Sequence, residues 1–206
     1  DIFLDPKLVA IVGGGPAGLR AAEVCSIQGF QVSLHESKPS VGRKFLVAGR
    51  GGLNLTHSEE FASFVKRYQG SLSDSKWTSM LGDCKNSDLR SWAEDLGIST
   101  FIGTSGRVFP TEKKAAPLLR AWIRRLRERG VSIHTRSRLI GIQRKDGRFH
   151  LIASQPEGEV LEIADAVILA LGGASWPTTG SDGAWVPLLE SLGLPVHPFK
   201  AANCGW

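Results

Sequence analysis

No C-x-x-C pair occurs in the sequence, and its three cysteines, Cys25, Cys84 and Cys204, are odd in number and far apart. That excludes a disulfide framework and a redox dithiol, and leaves each cysteine as an ordinary buried or surface thiol. Histidine and cysteine show no metal-ligand spacing either, so no metal centre is expected. Long hydrophobic runs are also missing. LVAIV at 8–12 is too short for a membrane span or the core of a secretion signal, and Asp1 and Asp5 stand where a signal carries positive charge. The expectation is a folded, soluble, cytoplasmic protein with no membrane partner. At 206 residues and 42% hydrophobic, the chain can bury one good core, in one large domain or one domain plus part of another.

The net charge is +5. Much of it sits in PLLRAWIRRLRERG (117–130), where Leu119, Trp122, Ile123 and Leu126 recur at helical spacing and five arginines take the remaining positions. Pro117 suits the first turn, Gly130 the C-terminal cap, and the late arginines the negative end of the helix dipole. A solvated helix face explains the charge. Nucleic-acid contact is not expected, because neither interleaved aromatics nor an RNA-binding signature accompanies the arginines.

The amino end carries the sharpest signal. LVAIVGGGPAGLRAAEVCSIQGFQVSLHE reads as strand, tight turn, helix and strand, with Gly13, Gly15 and Gly18 in G-x-G-x-x-G spacing and Glu36 at the tip of the second strand. Gly13 permits the turn, Gly15 lets a pyrophosphate approach the backbone, and Gly18 lets helix and strand pack closely. The helix N-terminus offers free N–H groups and about half a positive charge to phosphates. Glu36, eighteen residues beyond Gly18, stands where an acid accepts hydrogen bonds from ribose hydroxyls. Strand, helix and acid in register mark a dinucleotide site.

Further along, residues 58–100 look helical, with Leu89, Trp92, Ala93 and Leu96 at core spacing and Asn86 or Ser87 as a cap. VSIHT (131–135) reads as a third parallel strand. RLIGIQRKD, RFHLIASQPE and EVLEIADA, separated by Asp146-Gly147 and Pro156-Glu157-Gly158, read as an antiparallel meander. The chain then returns to a buried strand, AVILALGGASW (166–176), whose closing glycines suggest close approach to a ligand. VGRKFLVAGRGGLNLTH (41–57) is neither a helical stripe nor a convincing strand; its glycines and basic residues suit a wrap around a charged ligand.

Taken together, the first unit, the meander and the ALGG strand resemble the FAD-binding domain of glutathione-reductase-type flavoproteins. GRKFLVAGRGGLNLTHSE (42–59), GRVFPTEKKAAPLLRAW (106–122) and ALGGASWPTTGSDGAW (170–185) further resemble the HI0933-like family of NAD(P)/FAD-dependent oxidoreductases, with GGLNLTH marking a distinct subgroup. The resemblance implies an α/β fold, a Rossmann-like FAD-binding domain with a parallel sheet and an antiparallel β-meander crossover. It assigns Gly13, Gly15, Pro16, Ala17 and Gly18 to the pyrophosphate turn, Glu36 to the adenosine ribose, and Gly42, Arg43 and Lys44 to the cofactor wrap. By the same resemblance Leu139 meets the adenine through its backbone, and Ala170, Leu171 and Gly172 form a second FAD-contacting strand. Asn54 and Thr56 either lie nearer the flavin or form turns. The implied FAD-binding domain covers 1–185, with a helical segment at about 58–105, and 186–206 begins a connection into a second domain.

The leading expectation is therefore an FAD-dependent oxidoreductase acting on a small organic molecule, with NAD(P)H as a possible donor and enone-type reduction as one possible reaction. The cofactor supplies the redox chemistry, so no side chain announces itself as catalytic; His35 and His57 are expected to pack or cap. A flavin-binding, RNA-associated protein using Arg124 and Arg125, and a non-catalytic FAD-binding fragment, are the alternatives. A plain NAD-dependent enzyme would leave the GRK segment, the meander and the ALGG strand without a role.

Overall fold

The computed structural model describes residues 7–48, 51–70 and 72–200. Its first elements are β1 (Leu8–Val12), α1 (Pro16–Ile27), β2 (Gln31–Glu36), α2 (Arg43–Ala48), β3 (Thr56–His57), α3 (Phe61–Val65), α4 (Asp74–Gly82) and α5 (Asp88–Asp95). Then come β4 (Thr100–Ile102), β5 (Arg107–Pro110), α6 (Ala115–Glu128), β6 (Ser132–Thr135), β7 (Arg138–Lys145), β8 (Arg148–Gln155), β9 (Gly158–Ala164), β10 (Ala166–Leu169) and α7 (Val186–Glu190). The chain divides into two compact units, Asp1–Lys44 with Leu126–Trp206, and Phe45–Arg125.

In the first unit, β10, β1, β2 and β6 form a parallel sheet in that order. Val9 to Val12 of β1 are all buried, the continuous apolar run required of a strand covered on both faces. Ala10 and Val12 share one core with Ile142, Leu151 and Ala164 of the meander, and Leu139, Phe149, Val167 and Leu169 close around it. The helix α1 packs on β1 and β2 and buries Leu19 and Ala22 completely. The strands β7, β8 and β9 form the expected antiparallel meander. Its first turn places both Asp146 and Gly147 at positive φ (52° and 77°), the backbone for which an Asp-Gly hairpin is suited. A bulge between Leu139 and Gly141 re-aims the start of β7. VSIHT pairs with β2 as the expected parallel strand.

The second unit contains an antiparallel sheet, β3-β5-β4, and the helices α3, α4 and α5. Trp122 is buried and meets Trp92 edge to face at 4.8 Å, so the tryptophan stripes are core. Two sequence expectations need correction. The segment 41–57 contains a helix, Arg43–Ala48, and a short strand, Thr56–His57; Gly49 and Arg50 between them lie outside the described residues. Six residues are too few to show a helical stripe. Neither Asn86 nor Ser87 caps α5 through its side chain. Asn86 is buried and donates instead to the carbonyls of His57 and Glu59, at 2.8 and 2.7 Å, where two hydrogen bonds from one buried amide outweigh one cap. The helix α6 keeps Arg120, Arg124 and Arg127 exposed, and Gly130 follows it at φ 79° as the expected cap.

Leu151 is 1% exposed at the centre of the core shared by sheet and meander. Leu151→Ala is expected to cost about 2–5 kcal/mol, read from the urea midpoint at unchanged slope.

Candidate dinucleotide site

A cavity of about 1000 Å³ opens in the first unit at the carboxyl ends of β1, β2 and β10. This is the upper range of small-molecule and cofactor sites, and the crevice position expected of a parallel sheet. The glycine turn forms its floor. Gly13 has φ 108°, donates its N–H to the His35 carbonyl at 2.8 Å, and would put a Cβ only 2.2 Å from the Ala170 oxygen. Gly18 is needed for packing, since its Cβ would fall 1.8 Å from the Gly13 oxygen. Gly15 differs from both. Its backbone is extended (φ −77°, ψ −178°), and nothing in the structure lies within 4 Å of a Cβ built there. Neither strain nor packing explains this glycine. A side chain would fill the space in front of α1, whose first turn carries no acid to compete for an anion.

Glu36 is held in place by its neighbours. Oε2 accepts from Gly14 N–H at 2.9 Å, and Oε1 accepts from Lys38 N–H at 2.8 Å and from the Ser37 hydroxyl at 3.3 Å. Gly42, at φ 69°, donates to the Gly14 carbonyl at 2.8 Å and ties the next loop to the glycine turn.

The structure brings together most of the residues singled out from the sequence. Gly13, Gly15, Pro16, Ala17, Glu36, Arg43, Lys44, Leu139, Ala170, Leu171 and Gly172 all line the cavity. Lys44 Nζ also donates to Ser175 Oγ at 2.6 Å. Gly18 and Gly42 stand behind the lining and shape it. Asn54 and Thr56 belong to the second unit, where Asn54 is exposed and Thr56 is buried in β3 with its hydroxyl unpaired. Sequence reasoning missed Ser137, Ser181 and Trp185 in the lining. The length of the ALGGASWPTTGSDGAW motif beyond its glycines was a signal for the last two; nothing local marks Ser137.

Both histidines pack, as expected. His57, in the second unit, accepts from Glu59 N–H at Nδ1 (3.1 Å), which leaves Nε2–H to donate to the Ser105 carbonyl (3.0 Å). His35 is 4% exposed, with Nδ1 2.8 Å from Ser137 Oγ, Nε2 3.2 Å from Glu162 Oε2, and the His134 ring stacked at 5.0 Å. Burial pushes the Glu162 carboxyl up, but hydrogen bonds from His35 and Ser33 outweigh it and hold it below its usual range. Burial, aided by His35 and opposed by Glu162, holds His134 below its usual value. Among the described residues no helix is long and apolar enough to cross a membrane.

The family model for the HI0933-like protein Rossmann domain matches residues 7–202. The chain belongs to this family. Its members are FAD-dependent oxidoreductases, and the fold is the Rossmann-type FAD-binding fold with a parallel sheet. A 3-dehydro-bile acid delta(4,6)-reductase of Clostridium scindens is 31% identical over 197 residues, covering 94% of this chain and 46% of the relative. A ribosomal RNA dihydrouridine synthase of Haemophilus influenzae is 26% identical over 204 residues, covering 93% and 47%. The chain thus spans about half the length of the curated relatives it matches. The solved 3-ketosteroid-delta4-(5alpha)-dehydrogenase of Rhodococcus jostii shares the fold at TM-score 0.67 and 16% identity, over 93% of this chain and 55% of that one.

The three fingerprint glycines separate experimentally. Gly15→Ala is expected to change unfolding free energy by no more than about 1 kcal/mol, whereas Gly18→Ala costs about 1–3 kcal/mol or more because backbone must shift; urea titration of both variants reads the contrast. Glu162 and His134 predict an acid limb. Each resists a proton in the fold that the unfolded chain accepts, so stability should fall as pH drops below 6.5, the ordinary histidine value, and again below 4.5, the ordinary carboxyl value. Unfolding measured from pH 7 to 3.5 should show the lower step flattened in Glu162→Gln.

Proposed function

We propose that this chain is the FAD-binding part of an oxidoreductase that reduces an activated carbon–carbon double bond in an organic substrate. Gly15 is the observation that carries the cofactor assignment, because it is neither strained nor crowded and its missing side chain leaves the N-terminus of α1 open to a ligand from the cavity. The residues present fit FAD. The Gly13 and Gly14 N–H groups are taken by His35 and Glu36, so the N–H groups at the N-terminus of α1, from Gly15 to Gly18 with the donorless Pro16 in the first helical turn beside Ala17, receive the pyrophosphate. Glu36, already oriented by three hydrogen bonds, accepts from ribose hydroxyls. Arg43 and Lys44 offset diphosphate charge, the backbone at Leu139 meets the adenine, and Ala170 to Gly172 supply a close backbone wall. When bound, the flavin supplies hydride exchange at N5, and NAD(P)H is the donor. The protein's own work is orientation, charge balance and exclusion of water.

The substrate class rests on the relatives. A delta(4,6)-reductase and a dihydrouridine synthase act on different molecules, but both names describe saturation of a double bond, and in uridine as in an enone that bond is conjugated to a carbonyl. A small-molecule substrate is the first reading. The second is a base in RNA, favoured by the name of the Haemophilus relative and by the exposed Arg120, Arg124 and Arg127 on α6. RNA affinity that falls with salt and with Arg120→Glu and Arg127→Glu would support the second reading, and salt-independent behaviour would remove it.

The purified chain is expected to be yellow and to release FAD on heating. Gly15→Val should lower FAD affinity by roughly tenfold or more, about 1.4 kcal/mol, in a fluorescence titration. A colourless chain that takes up no added FAD would overturn the assignment.

A further inference from the structure

The chain leaves β10 through a loop for which the cofactor assignment has no use beyond Gly172. Residues 173–181 are tied mainly to one another. Trp176 and Ser181 exchange both backbone hydrogen bonds at 3.2 Å, Ser181 Oγ donates to the Gly173 carbonyl at 2.9 Å, and Thr179 Oγ1 donates to the Trp176 carbonyl at 2.9 Å. The loop therefore holds its own shape. Little holds it down, since Ala174, Ser175, Trp176, Pro177 and Thr178 are all exposed. A segment with internal hydrogen bonds and few buried apolar contacts moves as a body at low cost. Gly172 before it and Gly183 after it, at φ 72° and 69°, give it ends that turn easily.

The loop also belongs to the cavity. Thr179, Gly180 and Ser181 line it, as do Ser37, Arg43 and Lys44 from the segment after β2. Two contacts join these parts of the lining. Lys44 Nζ donates to Ser175 Oγ at 2.6 Å, and the stem of Lys38 passes Gly180 so closely that a Cβ there would lie 3.4 Å from Cε and 3.5 Å from Cγ. Among the described residues, the Lys44–Ser175 bond is the one hydrogen bond from 173–181 to the rest of the chain.

Lys44 has hydrogens to spare. An ammonium carries three donors, so one can stay on Ser175 while another faces a phosphate. The bond is then made with and without the ligand. An interaction equal in both states leaves the equilibrium between them where it was, and acts only on the opening that lies between.

We propose that residues 173–181 form a strap fastened by Lys44 and Ser175, and that this fastening sets how fast a dinucleotide enters and leaves the cavity without changing how tightly it is held. The inference rests on the cofactor assignment above and adds a gate to that site.

The test follows FAD fluorescence in stopped flow with the full chain, mixing for the entry rate and dilution of the complex for the release rate. Ser175→Ala is expected to raise both rates by roughly three- to tenfold, the worth of one exposed hydrogen bond, and to leave their ratio within about twofold of wild type. Ser175→Thr keeps the hydroxyl and should restore both rates. Ser175 is exposed, so neither substitution disturbs the core. Faster release at an unchanged entry rate would mean that Ser175 holds the ligand itself, and unchanged rates would mean that the bond fastens nothing. Either result, or a Ser175→Thr variant as fast as Ser175→Ala, would overturn the inference while leaving FAD binding intact. A wild-type chain that takes up no FAD would overturn the cofactor assignment itself, and this inference with it.

Discussion

Three backbones converge on Gly13. Its N–H is spent on the carbonyl of His35, its α-carbon lies against the Ala170 carbonyl, and its own carbonyl touches the α-carbon of Gly18. No side chain fits at Gly13 or Gly18. This contact fixes where β1 ends relative to β2 and β10, and so turns α1 with its N-terminus facing the crevice beyond the sheet. The cavity, the exposed N–H groups and the oriented carboxylate of Glu36 all follow from it. Gly15 is then free to serve a different purpose from its two neighbours in the motif, although the spacing alone treats all three alike.

The meander makes the second half of the arrangement. Its inner face closes the core over Ala10 and Val12, which by itself needs only apolar side chains. Glu162 interrupts that face, and its carboxylate is bound by Ser33 and His35 of β2. The covering layer therefore has a polar fastening as well as an apolar one, and the fastening lies directly behind the end of β2 that carries Glu36. An apolar cover would tolerate sliding. A half-buried carboxylate with two specific partners penalises it, because displacement costs the charge both hydrogen bonds.

Much of this was legible in the sequence because it is local. The glycine fingerprint, the two hairpin turns, the arginine helix and the apolar return strand each occupy a short window with its own periodicity or turn chemistry. What was not legible is long-range or too short. The helix Arg43–Ala48 spans six residues, less than two turns, and sits among glycines. Asn86 looked like a cap but found two carbonyls nearly thirty residues away. Ser137 and Glu162 meet His35 across 102 and 127 residues, and no spacing rule connects a serine between two arginines with a histidine on β2.

The division of labour in the site bears on how function is distributed. Phosphate recognition as proposed here rests on main-chain N–H groups and the end of a helix, so it survives wide change in side chains and says little about chemistry. Fold likeness at 16% identity to a steroid dehydrogenase is of that kind. Discrimination has to come from side chains that present a specific donor or acceptor to a ligand, and in this unit Glu36 is the carboxylate at the cavity that is held ready to do so. Glu36 is immobilised by the amides of Gly14 and Lys38, as Ser137 in the lining is by His35 and Gln155. In an enzyme that leaves the redox step to a cofactor, substrate choice then falls to the surfaces that meet the reacting end rather than to the turn that holds the phosphates.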